Sequence, residues 1–446
     1  MRKISQRRHL ALICVSIMAL LGVVACGDPP PSSSIFTQEP QQGSGEAIDL
    51  QSANQIHPLW AYQPDIVLST ALTSAQGIVY VSYDSNESKV GAGNNAGNIT
   101  PTLRGGTLSV LDALDAPSGR RLWRFEAPEL PDVAARPLVV NETVYFALSF
   151  HVCALNTQNG AVRWCTQVVD RTNDAEYIVD GEMTFANGLL FVGAYQTLIA
   201  VDATTGKRVW SVQTPMRSSH LAPGDGLIYV CAADGQITAF DTSAGQQVWR
   251  ATQIPDTPFP NTFAPIPFLD EGTLYVLSGR KLVAYQGGRG DLLWQVSLNG
   301  GEHGGELFPP APVFANVGGT PYMLALELNG STLITPVTSK LVAYNLHTHQ
   351  QMWSKQLPGH NGEALALSSD AVYVASETID RAYPSPSDRH YWLTMMDLRS
   401  GQVARQLQNN DPSFRIGQLL GDGGRLFVLG NYANAGYGSR LFALGR

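Results

Sequence analysis

Residues 198–210, Leu-Ile-Ala-Val-Asp-Ala-Thr-Thr-Gly-Lys-Arg-Val-Trp, decide the fold of this chain. They read as an alternating apolar strand, a turn that ends at Gly206, and a second strand that ends at Trp210. Glycine suits a turn position with positive φ, and the side chains of Asp202 and Thr205 can bond the backbone of the turn. Taken alone, this stretch predicts one β-hairpin.

The same spacing, Ala-x-Asp/Asn-x-x-x-Gly-x-x-x-Trp, recurs along the chain. Full copies begin at Ala154 and Ala239, another has Gln286 at the acidic position, and another has His349 in place of the glycine. Self-similarity with a period of about 40–50 residues is typical of propellers and solenoids. The repeat is therefore the main clue to the architecture.

Looser copies flank these at both ends. The first copy has two extra residues in its turn when it is aligned through Val110, Asp112, Gly119 and Trp123. The copy with Asp397 and Gly401 has Arg405 at the tryptophan position, and residues 441–445 begin an eighth copy.

Each unit also contains two earlier strands. An apolar run with an aromatic residue, such as 188–191, precedes each hairpin, and a further short run, such as 220–222, precedes that one. Four strands per unit predict the blade of a propeller. The last unit lacks its tryptophan strand, whereas residues 59–62, around Trp60, stand before the first unit. We therefore predict an all-β fold: an eight-bladed β-propeller of four-stranded antiparallel blades, whose ring is closed by the N-terminal strand around Trp60 pairing with the C-terminal strands.

The repeat resembles the tryptophan-docking repeat of propellers of the pyrroloquinoline quinone (PQQ) type. That family includes quinoprotein dehydrogenases and the BamB outer-membrane assembly lipoproteins, and the resemblance covers nearly the whole body of the chain. It implies that the tryptophans pack between neighbouring blades, where a large indole buries much apolar surface. The seam beside blade seven is predicted to be weaker or filled differently, because Arg405 interrupts the series. The predicted docking residues are Trp60, Trp123, Trp164, Trp210, Trp249, Trp294 and Trp353.

The N-terminal segments differ in composition from the repeats. Residues 1–25 combine a basic start with an apolar run, the pattern of a signal peptide. Residues 23–26, Val-Val-Ala-Cys, resemble the bacterial lipobox, which implies lipidation of Cys26 (diacylglycerol and an acyl chain such as palmitate) and a membrane anchor. An ordinary signal peptide and an uncleaved anchor are the alternatives. Residues 26–55, rich in Pro, Ser, Gln and Gly, predict a flexible tether, and residues 56–446 the propeller.

Charge and cysteine content exclude some classes of function. The formal net charge is −8 and basic residues form no cluster in the repeats, which argues against nucleic-acid binding. Cys153 and Cys165 lie on opposite strands of one predicted hairpin, and an exported protein can form disulfides. A regular two-strand register pairs residue 153 with residue 164, however, so a disulfide and two buried thiols both remain open.

The sequence predicts no catalytic residue, no metal site and no bound cofactor. It contains no adjacent cysteines and no Cys-x-x-Cys-His motif, and no Asp or Glu matches a catalytic motif of the dehydrogenases. Only the enzyme alternative implies PQQ with Ca²⁺. Glu302, His303 and Glu306 lie in a glycine-rich segment that predicts a solvated loop, and His347 and His349 are interpreted as polar turn residues.

Two regions remain as candidates for binding. The long insertions between second and third strands fall in blades six, seven, eight and one, which predicts a loop-rich half of one face. Neutral growth at permissive surface sites is the alternative. On the innermost strands, Arg136, Glu182 and His220 either form a polar patch at the axis or line a water-filled channel. The insertions are residues 84–105, 329–338, 377–390 and 431–438.

The sequence thus predicts a non-catalytic scaffold. We expect an extracytoplasmic lipoprotein, anchored at the cell surface or on the periplasmic leaflet of an outer membrane, that binds an envelope protein through the loop-rich face. The alternatives are a PQQ-dependent dehydrogenase and a propeller that binds a glycan or small ligand through the aromatic segment 383–392.

Overall fold

The computed structural model describes most of the predicted propeller. Residues 1–57, and with them the predicted signal peptide, Cys26 and the whole predicted tether, lie outside the described residues, as does Glu182. The described ranges are 58–64, 67–86, 107–127, 136–148, 150–169, 183–194, 196–214, 218–232, 235–251, 266–278, 281–297, 313–329, 338–358, 361–368, 371–379, 389–409, 414–422, 424–432 and 439–445.

The described chain forms 32 β-strands in eight four-stranded antiparallel sheets, so the predicted all-β, eight-bladed propeller is confirmed. Blades one to four use the strands β2 (Val67–Ala75), β3 (Ile78–Asn86), β4 (Thr107–Asp115), β5 (Arg121–Ala127), β6 (Leu138–Val140), β7 (Thr143–Leu148), β8 (His151–Asn156), β9 (Val162–Gln167), β10 (Met183–Ala186), β11 (Leu189–Ala194), β12 (Thr197–Asp202), β13 (Arg208–Gln213), β14 (Ser218–Gly224), β15 (Leu227–Ala232), β16 (Ile237–Asp241) and β17 (Gln247–Ala251).

Blades five to eight continue the same order along the chain. Their strands are β18 (Ile266–Asp270), β19 (Thr273–Ser278), β20 (Lys281–Gln286), β21 (Leu292–Ser297), β22 (Val313–Val317), β23 (Thr320–Asn329), β24 (Thr338–Asn345), β25 (Gln350–Gln356), β26 (Asn361–Ser368), β27 (Ala371–Ile379), β28 (Arg389–Asp397), β29 (Val403–Asn409), β30 (Phe414–Asp422), β31 (Arg425–Tyr432), β32 (Ser439–Gly445) and, from the N-terminus, β1 (Trp60–Tyr62).

The ring closes as the sequence predicts. Strand β1 pairs antiparallel with β32, so that Trp60 faces Ala443 and Tyr62 faces Leu441, and Leu59 N donates to Ala443 O at 2.7 Å. Because the last blade takes its outer strand from the other end of the chain, separating two blades at this point requires breaking a β-ladder as well as an inter-blade contact.

The cores lie between blades. Alternating residues of each sheet point to opposite neighbours, so each apolar cluster draws on two consecutive blades. In one cluster Tyr145 and Val152 of blade two pack with Leu190 and Ile199 of blade three. First strands of neighbouring blades contact one another, for example β14 with β18 and β2 with β30, which makes them the innermost strands. Among the described residues no helix is long and apolar enough to cross a membrane.

The repeat turn connects the third and fourth strands of a blade. Gly206 N donates to Asp202 O at 2.8 Å, and Asp202 Oδ1 accepts from Thr205 N at 2.7 Å. A β-bulge directly before the turn pairs Ala200 with Trp210 but Val201 with Arg208, which skips one residue of the fourth strand.

The alignment proposed for the first copy is wrong. Gly119 N donates to Asp115 O, and Ala113 pairs with Trp123, so the turn residue is Asp115 and no residues are inserted. Asp112 belongs instead to the buried interior of β4. The residues Ala113, Asp115, Gly119 and Trp123 match the spacing of the repeat without an insertion, so the strict spacing agrees with the hydrogen-bonded turn.

Candidate functional site

Each docking tryptophan joins its blade to the turn of the next one. Trp164 Nε1 donates to Ala203 O of the following blade at 3.1 Å. The indole also covers Gly206, where an added Cβ would lie 2.6 Å from Trp164 Cδ2. The turn glycine is therefore required twice, by its φ of +72° and by the indole above it.

The same contact recurs at five other seams. In each, the indole nitrogen donates to the carbonyl three residues before the turn glycine. The bonds run from Trp60 to Ala116, Trp123 to Thr157, Trp210 to Thr242, Trp249 to Gly287 and Trp353 to Leu398, at 2.6–3.0 Å.

Two seams depart from this pattern. Between blades five and six, His349 occupies the glycine position with a φ of +60°, and its ring centroid lies 4.1 Å from that of Trp294. Between blades seven and eight, Arg405 replaces the tryptophan and is only 8% exposed. Blade eight takes its outer strand, β1, from the N-terminal side of blade one, so its third and fourth strands, β32 and β1, are not consecutive in the chain. The exception thus falls beside the blade whose third and fourth strands are not consecutive.

A buried ionic network joins the closing strand to blade one. The side chain of Asp112 is fully buried and accepts from Arg124 Nε at 2.8 Å and Nη2 at 3.0 Å. The same carboxylate accepts from Tyr83 Oη at 2.8 Å and from Tyr62 Oη of β1 at 2.6 Å. Burial, followed by the charge of Asp112, raises the pKa values of Tyr62 and Tyr83, so both remain protonated donors. The sequence did not predict this network, because its members are separated by strands and turns.

Cys153 and Cys165 form a disulfide across β8 and β9. The bulge of the repeat accounts for the pairing, since it makes Ala154 face Trp164 and so places residue 153 opposite residue 165. A register without that bulge pairs 153 with 164. Cys231 is a buried free thiol in β15.

The hairpins of four consecutive blades are extended. In blades two to five, the second and third strands form five or six residue pairs. The count rises to nine pairs in blade one, eight in blade six, nine in blade seven and seven in blade eight. The predicted insertions are therefore partly strand, and their remainders, residues 87–106, 330–337, 380–388 and 433–438, lie outside the described residues. Three extra pairs lengthen a hairpin by about 10 Å.

Two of the three predicted channel residues, His220 and Arg136, lie among the described residues. His220 lies half-buried in innermost strand β14, and Arg136 is exposed just before β6. The other described positions aligned with them offer one amide, Gln418, and otherwise apolar side chains. A quinone with a Ca²⁺ ion needs carboxylate oxygen ligands. None of the seven described positions supplies a carboxylate, and the eighth, Glu182, lies outside the described residues.

Comparison with known proteins agrees with this architecture. A protein-family profile described as "Outer membrane protein assembly factor BamB" matches residues 67–184 and 172–407, more than half of the chain. The BamB protein of Burkholderia pseudomallei is 25% identical over 327 residues, which cover 70% of this chain and 75% of that protein.

Other relatives share only part of their length with this chain. The serine/threonine-protein kinase AfsK of Streptomyces coelicolor is 31% identical over 183 residues, 41% of this chain and 21% of the kinase. The quinohemoprotein alcohol dehydrogenase of Comamonas testosteroni is 29% identical over 172 residues, 34% of this chain and 24% of the enzyme. The solved structure of that enzyme superposes with a TM-score of 0.56 at 13% identity, covering 93% of this chain and 79% of the enzyme chain, which shows a shared fold.

Proposed function

Since this chain belongs to the family of the outer membrane protein assembly factor BamB, we propose that it is a non-catalytic scaffold that binds a protein partner in the cell envelope. The observation that supports this function is the set of extended hairpins in blades six, seven, eight and one. They are consecutive in the closed ring, so they project together from half of one face.

The rest of the molecule supports a rigid platform beneath that face. The docking tryptophans, the ladder between β1 and β32, and the Asp112 network each join neighbouring blades. A binding surface whose supports are fixed loses little conformational entropy when a partner binds. A scaffold of this kind needs no reacting group.

An N-terminal lipid at Cys26 is part of the same proposal. A flexible tether of residues 26–55 has a root-mean-square end-to-end distance of about 30 Å. Such a tether lets the extended face reach a partner at the membrane surface. Radiolabelled palmitate should label the wild-type protein and fail to label Cys26→Ser, and equal labelling would contradict the anchor.

Site-specific photo-crosslinking in cells tests the scaffold. A photoreactive amino acid at Thr378 or Asn329, on extended hairpins, is compared with one at Thr197, on the short hairpin of blade three. We expect one envelope protein to be captured from the first two positions and not from the third. Equal capture from all three positions would contradict a binding face on blades six to one.

The similarity to quinohemoprotein dehydrogenases keeps one alternative testable. Those enzymes share the fold with this chain. Purified protein is incubated with PQQ and Ca²⁺, and quinone absorbance and dye-linked alcohol oxidation are measured. We expect no quinone absorbance and no alcohol oxidation. Alcohol oxidation would contradict the non-catalytic scaffold and support an enzyme.

A further inference from the structure

A group of metal-binding side chains lies where blades five and six meet, on the face opposite the extended hairpins. Asp270 is the last residue of β18, Glu271 lies in the turn that follows it, and His347 lies in the turn between β24 and β25. One ligand-type atom of each side chain lies within 4.8 Å of the others. Two blades thus contribute three such groups to one point.

The distances suit a tetrahedral zinc site. His347 Nε2 lies 3.4 Å from Asp270 Oδ2 and 4.0 Å from Glu271 Oε2. With metal bonds of about 2.0–2.1 Å, neighbouring ligand atoms of a tetrahedron are about 3.3 Å apart. The distance from His347 Nε2 to Asp270 Oδ2 already matches this value. The side chain of Glu271 is 76% exposed, so it has room to move closer to His347.

The environment of Asp270 independently indicates a cation. Its side chain is only 10% exposed, and its Oδ2 atom is buried without accepting a hydrogen bond from any described residue. The other oxygen, Oδ1, accepts from Asn316 Nδ2 at 2.7 Å. That bond orients the carboxylate, as outer-shell partners orient metal ligands, and leaves Oδ2 facing His347. A buried carboxylate oxygen that accepts no hydrogen bond is unfavourable unless a cation offsets its charge, and either a protonated His347 at 3.4 Å or a bound metal ion can do so.

Backbone hydrogen bonds fix the turn that carries the imidazole. Thr348 N donates to Asn345 Oδ1 at 2.9 Å, and Leu346 N donates to Pro321 O at 2.9 Å. These bonds hold the residues on both sides of His347. The site therefore has the preorganised geometry that a glycine-rich loop lacks.

We propose that Asp270, Glu271 and His347 bind one Zn²⁺ ion that links blade five to blade six, with the fourth coordination position open to water. Imidazole nitrogen and carboxylate oxygen are ordinary zinc ligands. The site stands beside the seam where His349 replaces the turn glycine under Trp294, so the metal supplies a second link at an altered docking contact.

Zinc binding is tested on the full-length, untagged protein after removal of metals with a chelator. Calorimetric titration with Zn²⁺ gives stoichiometry and affinity, Co²⁺ absorption reports coordination geometry, and thermal unfolding reports stabilisation. The variants are Asp270→Asn and His347→Gln. Asp225→Asn is the matched control. Asp225 occupies in blade four the turn position that Glu271 occupies in blade five. The turn of blade five that faces it has Gly288 at the position of His347, so it offers no imidazole there.

We expect one Zn²⁺ per chain, a tetrahedral Co²⁺ spectrum and a rise in melting temperature with zinc for the wild type and for Asp225→Asn. Each ligand variant should weaken the affinity at least tenfold and lose the rise in melting temperature. His347 is 40% exposed, so its variant should fold even if Asp270→Asn does not, and circular dichroism checks both. Unchanged binding in His347→Gln, or no stoichiometric binding by the wild type, would overturn the site.

Discussion

Replacing one turn glycine by alanine measures how strongly a tryptophan docks on the next blade. In Gly206→Ala the new methyl group would lie 2.6 Å from Trp164 Cδ2 and 2.6 Å from Thr166 Oγ1, at a φ of +72°. The backbone conformation costs an L-residue about 1–2 kcal/mol, and overpacking adds about 1–3 kcal/mol. We therefore expect the free energy of unfolding to fall by about 2–5 kcal/mol.

The same chain offers a control for the backbone cost. Gly188 has a φ of +79°, but an added Cβ there meets nothing within 4 Å. Gly188→Ala should therefore cost only the backbone contribution of about 1–2 kcal/mol. The difference between the two losses of unfolding free energy therefore measures the steric conflict with the indole of Trp164 and the side chain of Thr166.

Denaturant unfolding measures both variants, and a double-mutant cycle identifies the indole as the cause. In the Trp164→Ala background the space above Gly206 opens, so Gly206→Ala should cost at least 1 kcal/mol less than in the wild type. Equal costs for Gly206→Ala and Gly188→Ala, or no change in the Trp164→Ala background, would refute tryptophan docking as the second reason for the glycine.

Three further predictions concern other contacts of the fold. Tyr62→Phe removes a 2.6 Å hydrogen bond to buried Asp112, so it should lower the free energy of unfolding by roughly 1.5–3 kcal/mol. Amide hydrogen exchange in β1 should become faster in this variant. Unchanged exchange would contradict a role of this bond in closing the ring. Burial raises the pKa of Tyr229 to about 12, whereas the unfolded chain loses this proton near pH 10, so the free energy of unfolding should fall as pH rises above about 10. The fall should be less steep in Tyr229→Phe. Equal slopes of the free energy of unfolding against pH in the two proteins would contradict the raised pKa of Tyr229. The hydroxyl and backbone N–H of Thr205 lower the pKa of Asp202, so the contribution of this carboxylate to stability is lost as pH falls below about 4. In Thr205→Ala the pKa of Asp202, measured by NMR titration, should rise. An unshifted pKa would exclude the hydroxyl as the main cause.

The sequence predicts the ring because each repeat carries its own local signals. The turn chemistry of Asp202 and Gly206, the alternation of the strands and the position of Trp210 all lie within about 15 residues, and their recurrence makes blades countable. The unpaired strand around Trp60 then indicates closure. These features depend on short-range spacing, which a sequence displays directly.

Contacts between blades are decided by tertiary structure. Trp164 and Gly206 are both visible in the sequence, but only the ring shows that the indole of one blade covers the glycine of the next. The same is true of Asp112, which the looser alignment of the first copy assigns to a turn, whereas in the fold its carboxylate accepts a hydrogen bond from Tyr62. The extra length of the hairpins is also hidden, because residues that pair as strand read as loop when their partners are unknown.

The sequence by itself determined the eight blades, their order and the closure of the ring, because those follow from local periodicity. Tertiary structure alone decided the register that joins Cys153 to Cys165, and the seam that brings Asp270 near His347. A β-bulge shifts pairing by one residue without a sequence signature, and ring geometry brings together side chains that are distant along the chain. Both depend on the position of the backbone in space, which the spacing of residue types does not encode.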